Sequence, residues 1–177
     1  LHDALPILLF ALILRFWQID RLPSLNPDEA ALGYNAYSLI ETGKDEHGIS
    51  WPLHFKSFGD FKPGGYVYLA IPFVKVLGLT PMAVRLPNLI FSLLTIYVLY
   101  KLVLLLTLDF RLSLFSSFVL SISPWHLQFS RGAWESSTAL FFILLGIYFF
   151  YKFIASPKSI YRYLFLLPFI ASLYIYH

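Results

Sequence analysis

Long runs of apolar residues, interrupted by few charges, constrain the fold of this chain more than any other feature of its sequence. An α-helix rises about 1.5 Å per residue, so about 20 apolar residues are needed to cross a bilayer core. The runs 86–106, 110–129 and 136–154 have about this length, and shorter runs occupy 4–17 and 163–176. We therefore predict an all-α polytopic membrane protein with about five transmembrane helices, the first and the last truncated. We expect residues 1–177 to be a single N-terminal module of a longer protein.

The composition excludes several classes of protein. Only 13% of the residues are charged, against about a quarter in soluble domains, and 58% are hydrophobic. This balance excludes an ordinary soluble domain and a disordered chain. The chain has no cysteine, which excludes a thiol nucleophile and a zinc–thiolate site. Its net charge of +3 comes from scattered basic residues, so we expect the bilayer, and no nucleic acid, as a partner.

One further apolar run, 66–79, is too short to cross and contains Pro72 and Lys75. That length is typical of a re-entrant or interfacial segment. If it does not cross, and the first helix runs outward, the inner turns hold Lys101, Arg111, Lys152, Lys158 and Arg162 against the single acid Asp109. The positive-inside rule favours this topology. It places a first outer loop, 18–85, with juxtamembrane helices, and a second, 124–135, on the extracytoplasmic face.

The first outer loop contains two adjacent acids at the predicted start of an amphipathic helix. Asn26 suits the N-cap and Pro27 the first helical position, while Asp28 and Glu29 complement the helix dipole. The pair Thr42-Gly43 ends this helix. Two interpretations remain open: a well-formed helix start, or a carboxylate that acts as general base or metal ligand at the membrane boundary.

Two basic residues flank the short apolar run. Lys62 precedes the turn Pro63-Gly64-Gly65, and Arg85 precedes Leu86-Pro87. Each has an ordinary alternative, since long basic side chains anchor helix ends at membrane interfaces. Each is equally suited to hold a phosphate group at that boundary.

A third group of polar residues lies in the second outer loop. Arg131 and Glu135 are four residues apart, so a helical turn would place them on one face as an ion pair. Ionisable residues at membrane depth are also frequent functional groups. We interpret His126 as an interfacial residue, because no second histidine lies at ligand spacing.

The order of these motifs resembles that of the GT-C glycosyltransferases, in particular the superfamily of protein O-mannosyltransferases and aminoarabinose lipid A transferases. Asp28-Glu29 resembles the acidic motif of the family, Lys62-Pro63-Gly64-Gly65 its Lys/His-Pro-Pro-Leu motif, and Arg85-Leu86-Pro87 its Arg-Leu-Pro motif. Ser130-Arg131 with Glu135 is similar to the Ser-Arg…acid motif of the second outer loop. The chain departs from the pattern at Gly64, where the family has proline, and at Glu135, where it usually has aspartate.

The resemblance implies a membrane glycosyltransferase that moves a sugar, with inversion, from a polyprenyl or dolichyl phosphate to a hydroxyl of a lipid, protein or polysaccharide. It implies Asp28 as general base, and Glu29 as an acid that steers the acceptor or orients the helix start. Glu135 is a second acid, which pairs with Arg131 or joins Asp28 in holding a divalent metal ion, the one cofactor we consider. The phosphate-binding candidates are Lys62, Arg85 and Arg131.

The competing interpretation is a non-catalytic membrane protein, such as a transporter segment or a scaffold subunit. Transporters place ionisable residues near the bilayer midplane on broken helices. Here the central parts of the three full-length runs contain none, which favours chemistry at the surface. We also expect the 177 residues alone to be inactive, because the resemblance implies further spans in the donor groove.

Overall fold

A computed structural model describes residues 2–57, 59–156 and 159–176 of the chain. Most of these residues are helical, and a two-stranded antiparallel hairpin, β1 (His54–Ser57) and β2 (Asp60–Pro63), follows the second helix. The helices are α1 (Leu5–Phe16), α2 (Pro27–Thr42), α3 (Gly65–Leu77), α4 (Pro81–Thr107), α5 (Phe110–Ile122), α6 (Pro124–Ser130), α7 (Glu135–Ala155), α8 (Ser159–Leu164) and α9 (Leu166–Ile175).

Helices α4 and α7 are long and apolar enough to cross a membrane, with 27 and 21 residues. They pack against each other, α5 packs on α4, and α9 packs on α7. Helices α1, α3, α5 and α9 are apolar but shorter. Large apolar side chains remain exposed on the outer surfaces of α1 and α5, among them Leu9, Ile13 and Phe115. The helical membrane class predicted from the sequence agrees with this architecture.

Helix α2 begins and ends where its sequence predicts. The Asn26 side chain accepts a hydrogen bond from the Glu29 N–H at 2.8 Å, and Glu29 Oε2 accepts one from the Asn26 N–H at 3.3 Å. This reciprocal capping box satisfies donors that a helix start otherwise leaves unpaired. At the other end Gly43 adopts a φ of 69°, which glycine takes without steric cost.

A compact apolar core joins α2, β1, α3 and the start of α4. It contains Leu32, Leu39, Phe55 and Val67, all nearly inaccessible to solvent. Gly33 is the point of closest approach between α2 and α4, since a Cβ there would lie 2.7 Å from Val84 Cγ2. The loop 18–85 therefore folds into a packed layer.

Contacts at both ends of α3 indicate that it begins and ends at the level of α2. The Tyr66 hydroxyl, in its first turn, donates to the Val84 carbonyl in the first turn of α4 at 2.9 Å. Leu79, just beyond its last turn, lies against Gly33 of α2. Arg85 of α4 contacts Glu29 at the start of α2, so α4 starts on the same side as α2. A non-crossing α3 fits these contacts.

Several boundaries differ from the prediction. The hairpin was missed, so the fold is not purely α-helical; its four-residue strands lie among Pro52, Gly59 and Pro63, a pattern typical of loops. The run 110–129 breaks at Ser123, whose φ of −57° and ψ of 121° are the extended conformation favoured before a proline. The last run divides between α8 and α9. Helix α4 begins at Pro81, so Arg85 lies inside this helix.

Candidate functional site

A cavity of about 410 Å³ lies where the start of α2, strand β2, the start of α7 and the end of α9 meet. Three of the six predicted site residues line it: Asp28, Lys62 and Glu135. Glu29, Arg85 and Arg131 are not part of its wall. The other lining residues are Asp60, Phe61, Pro63, Phe129, Trp134, Ser136, Ile175 and Tyr176.

Asp28 and Lys62 form an ion pair on the cavity wall. Lys62 Nζ donates to Asp28 Oδ1 at 2.6 Å, across 34 positions of sequence. The Asp28 side chain is 42% exposed and that of Lys62 32% exposed, so both remain accessible from the cavity. A carboxylate and an ammonium group are thus held together on the wall of one cavity.

Glu135 lies at the first position of α7 and faces the same cavity. The predicted ion pair between Glu135 and Arg131 is wrong, because residues 131–134 form a turn between two helices. Arg131 instead donates from Nη2 to the Trp17 carbonyl at 2.6 Å and ties this turn to the end of α1.

Glu29 and Arg85 form a buried ion pair behind the cavity wall. Arg85 donates from Nε and Nη2 to the two carboxylate oxygens of Glu29, both at 2.8 Å, and from Nη1 to the Ile19 carbonyl. Each side chain is only 1% exposed. Glu29 Oε1 also accepts the Ala133 N–H at 2.7 Å. The first outer loop is therefore in direct contact with the second.

His126 has a role that the sequence did not indicate. It is 1% exposed, and its Nδ1 accepts a hydrogen bond of 2.8 Å from Arg15 Nη2 on α1. The interpretation as an interfacial residue is therefore wrong. Burial, together with the Arg15 charge, lowers the pKa of His126 to about 4. The neutral imidazole is the form that accepts this bond, so the pair fastens α6 to α1.

Eight of the lining residues were not predicted as site residues, among them Asp60 and Trp134. Asp60 lies two positions before Lys62 on β2, and alternate residues of a strand share a face. The spacing of Asp60 and Lys62 predicts a shared face only once residues 60–63 are recognised as a strand. Trp134 lies at the N-cap position of α7, and a Cβ at Gly132 would lie 2.7 Å from its Nε1. Glycine at 132 thus leaves room for this indole.

The two acids predicted as metal ligands, Asp28 and Glu135, both line the cavity. No group of three or more histidine or acidic side chains among the described residues is arranged to hold a metal ion. Asp28 is already paired with a lysine, which competes with a cation for its oxygens. We therefore derive no step through a metal.

The family model for dolichyl-phosphate-mannose-protein mannosyltransferase matches residues 6–173. The chain belongs to this mannosyltransferase family. No curated protein and no solved structure matches it. The resemblance to GT-C mannosyltransferases is thereby confirmed, and the family is one of membrane glycosyltransferases that use dolichyl-phosphate sugar donors.

Membership in the mannosyltransferase family decides between the classes left open by the sequence. It supports a glycosyltransferase embedded in the membrane over a transporter segment or scaffold subunit. The apolar helices α4 and α7 agree with that location. The cavity between the two outer loops is the place where its polar residues converge.

Proposed function

We propose that this cavity is the catalytic end of a glycosyltransferase that moves a sugar from a dolichyl or polyprenyl phosphate to an acceptor hydroxyl. The observation that supports this most directly is the convergence of Asp28, Lys62 and Glu135 on one cavity from three separate elements. The family model supplies the class of donor and a protein as the first acceptor to test.

In the proposed reaction the acceptor oxygen attacks the anomeric carbon and forms the new glycosidic bond. The bond from that carbon to the phosphate oxygen breaks, and the lipid phosphate leaves with the electron pair. Asp28 takes the proton of the acceptor hydroxyl as general base. Attack from the face opposite the phosphate inverts the configuration at the anomeric carbon.

Lys62 is proposed to stabilise the negative charge on the departing phosphate. Its ammonium group contacts Asp28 at 2.6 Å before the donor binds. The phosphodiester of the donor carries one negative charge and competes for the same ammonium group, and its approach frees a lone pair of Asp28 for the acceptor proton. This exchange of partners links donor binding to base activation.

Of the remaining predicted site residues, one lines the cavity and the other three are proposed to support its wall. Glu135 is proposed to orient the acceptor or the sugar hydroxyls, since it lines the same cavity. Glu29 and Arg85 are proposed to orient the start of α2 instead of contacting substrate, because their charged atoms satisfy each other. Arg131 is proposed to anchor the turn through Trp17.

The site is proposed to open to the extracytoplasmic side. The starts of α2 and α7 line it, and the basic residues Lys101 and Lys152 lie in the last third of α4 and of α7. Positive charges concentrate on the cytoplasmic side of membrane proteins. We further propose five crossing segments, with α8 and α9 together forming the last.

Replacement of Asp28 by Asn in the full-length protein tests the proposal. We expect sugar transfer from a dolichyl or polyprenyl phosphate donor to fall by about 10²–10⁴-fold, because an amide cannot take the acceptor proton. The measurement is initial transfer rate per folded enzyme in detergent or liposomes.

Asp20→Asn is the matched control for this substitution. Asp20 is an exposed acid in the same outer loop, paired with Arg21 at 3.5 Å and outside the cavity wall. We expect wild-type transfer from this variant. Near-wild-type transfer by Asp28→Asn would remove Asp28 from the role of general base.

A further inference from the structure

The peptide unit between Gly132 and Ala133 is held from both sides by buried side chains. Its N–H, on Ala133, donates to Glu29 Oε1 at 2.7 Å. Its carbonyl, on Gly132, accepts from Asn88 Nδ2 at 2.6 Å. Both Asn88 and Glu29 are at most 1% exposed. Ala133 lies two residues before Glu135. The fixed plane of this peptide therefore sets the direction of the chain towards Trp134 and Glu135, which line the cavity.

Asn88 also satisfies the end of α6. Its Nδ2 makes a second hydrogen bond, of 2.7 Å, to the Phe129 carbonyl. The last carbonyls of a helix have no partner within the helix, and a buried one needs a donor from elsewhere. Asn88 on α4 provides this donor, so the end of α6 and the turn 131–134 are both attached to α4.

The orientation of the Asn88 amide is defined by a third partner. Thr138, in the first turn of α7, donates from Oγ1 to Asn88 Oδ1 at 3.1 Å. Two carbonyls require the NH₂ group on one side, and a hydroxyl donor suits the oxygen on the other. Asn88 thereby joins α4 to the end of α6, to the turn and to α7.

We propose that Asn88 is a positioning residue, which acts through the Gly132–Ala133 peptide to place Trp134 and Glu135 in the cavity wall. The role of Asn88 in sugar transfer rests on the proposed function, whereas its effect on the placement of Trp134 and Glu135 does not. Asn88 lies one helical turn after Arg85, so one face of α4 supports both outer loops. Burial at 0% exposure excludes direct contact of Asn88 with a substrate in the cavity.

Placement can be measured without enzyme activity, because the chain contains no native cysteine. A Ser136→Cys reporter lies on the cavity wall next to Glu135. Its labelling rate with a water-soluble maleimide is compared between the parent, Asn88→Asp and Thr138→Val. Asn88→Asp keeps the size of the side chain but sets a carboxylate oxygen against two carbonyls. Thr138→Val removes only the hydroxyl that orients the amide.

We expect Asn88→Asp to change the labelling rate of the Ser136→Cys reporter by about fivefold or more, as loss of a buried hydrogen bond shifts a local equilibrium by about that factor. Thr138→Val is expected to change it in the same direction by a smaller factor. Thr95→Val is the matched control, since Thr95 lies two turns along the same face of α4 and its hydroxyl donates within its own helix, to the Phe91 carbonyl. It should label at the parent rate.

A second reporter separates local placement from unfolding. Ala70→Cys lies in the apolar core that joins α2, β1, α3 and the start of α4, at 0% exposure, and should stay unlabelled in every variant that is folded. If the Ala70→Cys reporter becomes labelled in Asn88→Asp, that variant is unfolded, and the labelling of the Ser136→Cys reporter is then compared between the parent and Thr138→Val. Unchanged labelling of the Ser136→Cys reporter, in the folded variants, would overturn the inference.

Sugar transfer then tests whether placement matters for the reaction. With a dolichyl-phosphate sugar donor we expect kcat of full-length Asn88→Asp, per folded molecule, to fall about tenfold or more, as misplaced groups reduce turnover. KM for the donor should stay within about twofold, because Lys62 is not attached to this turn. A shift in labelling without any transfer in the parent protein would refute the proposed function and leave the placement by Asn88 standing.

Discussion

The ion pair between Glu29 and Arg85 is the most strongly constrained polar contact of the site. A buried charge needs both a partner of opposite sign and hydrogen bonds for its remaining atoms. Glu29 has the guanidinium group, the Ala133 N–H and its own capping contact with Asn26. Its neighbour Asp28 is partly exposed and turned to the cavity. Two adjacent acids thus occupy different environments, one in a buried ion pair and one on the cavity wall.

Glu29→Gln removes the charge of this pair while keeping the size of the side chain. We expect a loss of about 3–5 kcal/mol in free energy of unfolding, because the buried Arg85 charge is left without a counter-charge. Thermal or denaturant unfolding in detergent measures it. Asp20→Asn, which removes an acid from an exposed pair, serves as control and should leave the transition unchanged. Equal stability of the two variants would contradict the supporting role of Glu29.

The contact between His126 and Arg15 predicts a dependence of stability on pH. The folded-state pKa of His126 is lowered to about 4, below the ordinary value of 6.5. The neutral form is favoured by folding, so this contribution is complete above about pH 6.5 and is lost as the pH falls towards 4. We expect wild type to lose about 3 kcal/mol across this window relative to His126→Asn, measured by unfolding at several pH values. Parallel profiles of the two proteins would contradict the prediction.

At the scale of elements, α2 docks closely on α4 because position 33 carries no side chain. A Cβ at Gly33 would lie 2.7 Å from Val84 Cγ2 and 3.1 Å from Leu79 Cδ1. This close approach brings the first turn of α2 to Arg85, and hence Asp28 to the cavity.

Gly33→Val should therefore separate α2 from α4. We expect a loss of about 1–3 kcal/mol in stability, which is typical of overpacking, together with reduced transfer. Ala30→Val is the control, since it adds a similar side chain at an exposed position of the same helix. Unfolding and transfer assays on both variants measure the effect. An equal response of the two would show that the contact at Gly33 does not set the position of α2.

The elements that the sequence predicted well are those with local signals. Asn26, Pro27 and Gly43 mark the ends of α2, and its capping contacts lie within a few residues. The run 136–154 agrees with α7 to within a residue at each end. The hairpin lacked such signals, because short strands between prolines and glycines resemble a loop.

The site was predictable only as a shared face. The order of the motifs brought Asp28, Lys62 and Glu135 to one side of the membrane, and they converge in one cavity. The partners of Glu29 were not predictable, since Arg85 is 56 positions away and Ala133 104 positions away. Tertiary packing determines whether a side chain faces the cavity or the protein interior, and no local sequence pattern encodes that orientation.

At the scale of the whole molecule, the proposed activity requires both outer loops on the same side of the membrane. The contact of Glu29 with Ala133 joins the two loops directly. The turn between α4 and α5 lies at the far end of the 27-residue helix α4, about 40 Å away at 1.5 Å per residue. The bilayer core is about 30 Å thick, so α4 is long enough to place this turn at the opposite surface.

Single cysteines in the cysteine-free chain test this arrangement in cells. Ser24, Gln128 and Thr107 are all exposed, the first two in the outer loops and the third at the end of α4. We expect a membrane-impermeant maleimide to label Ser24→Cys and Gln128→Cys in intact cells. Thr107→Cys should react only after the membrane is permeabilised, because charged reagents do not cross the apolar core. Labelling of Ser24→Cys and Gln128→Cys from opposite sides would separate the walls of the cavity and leave the proposed reaction without a site.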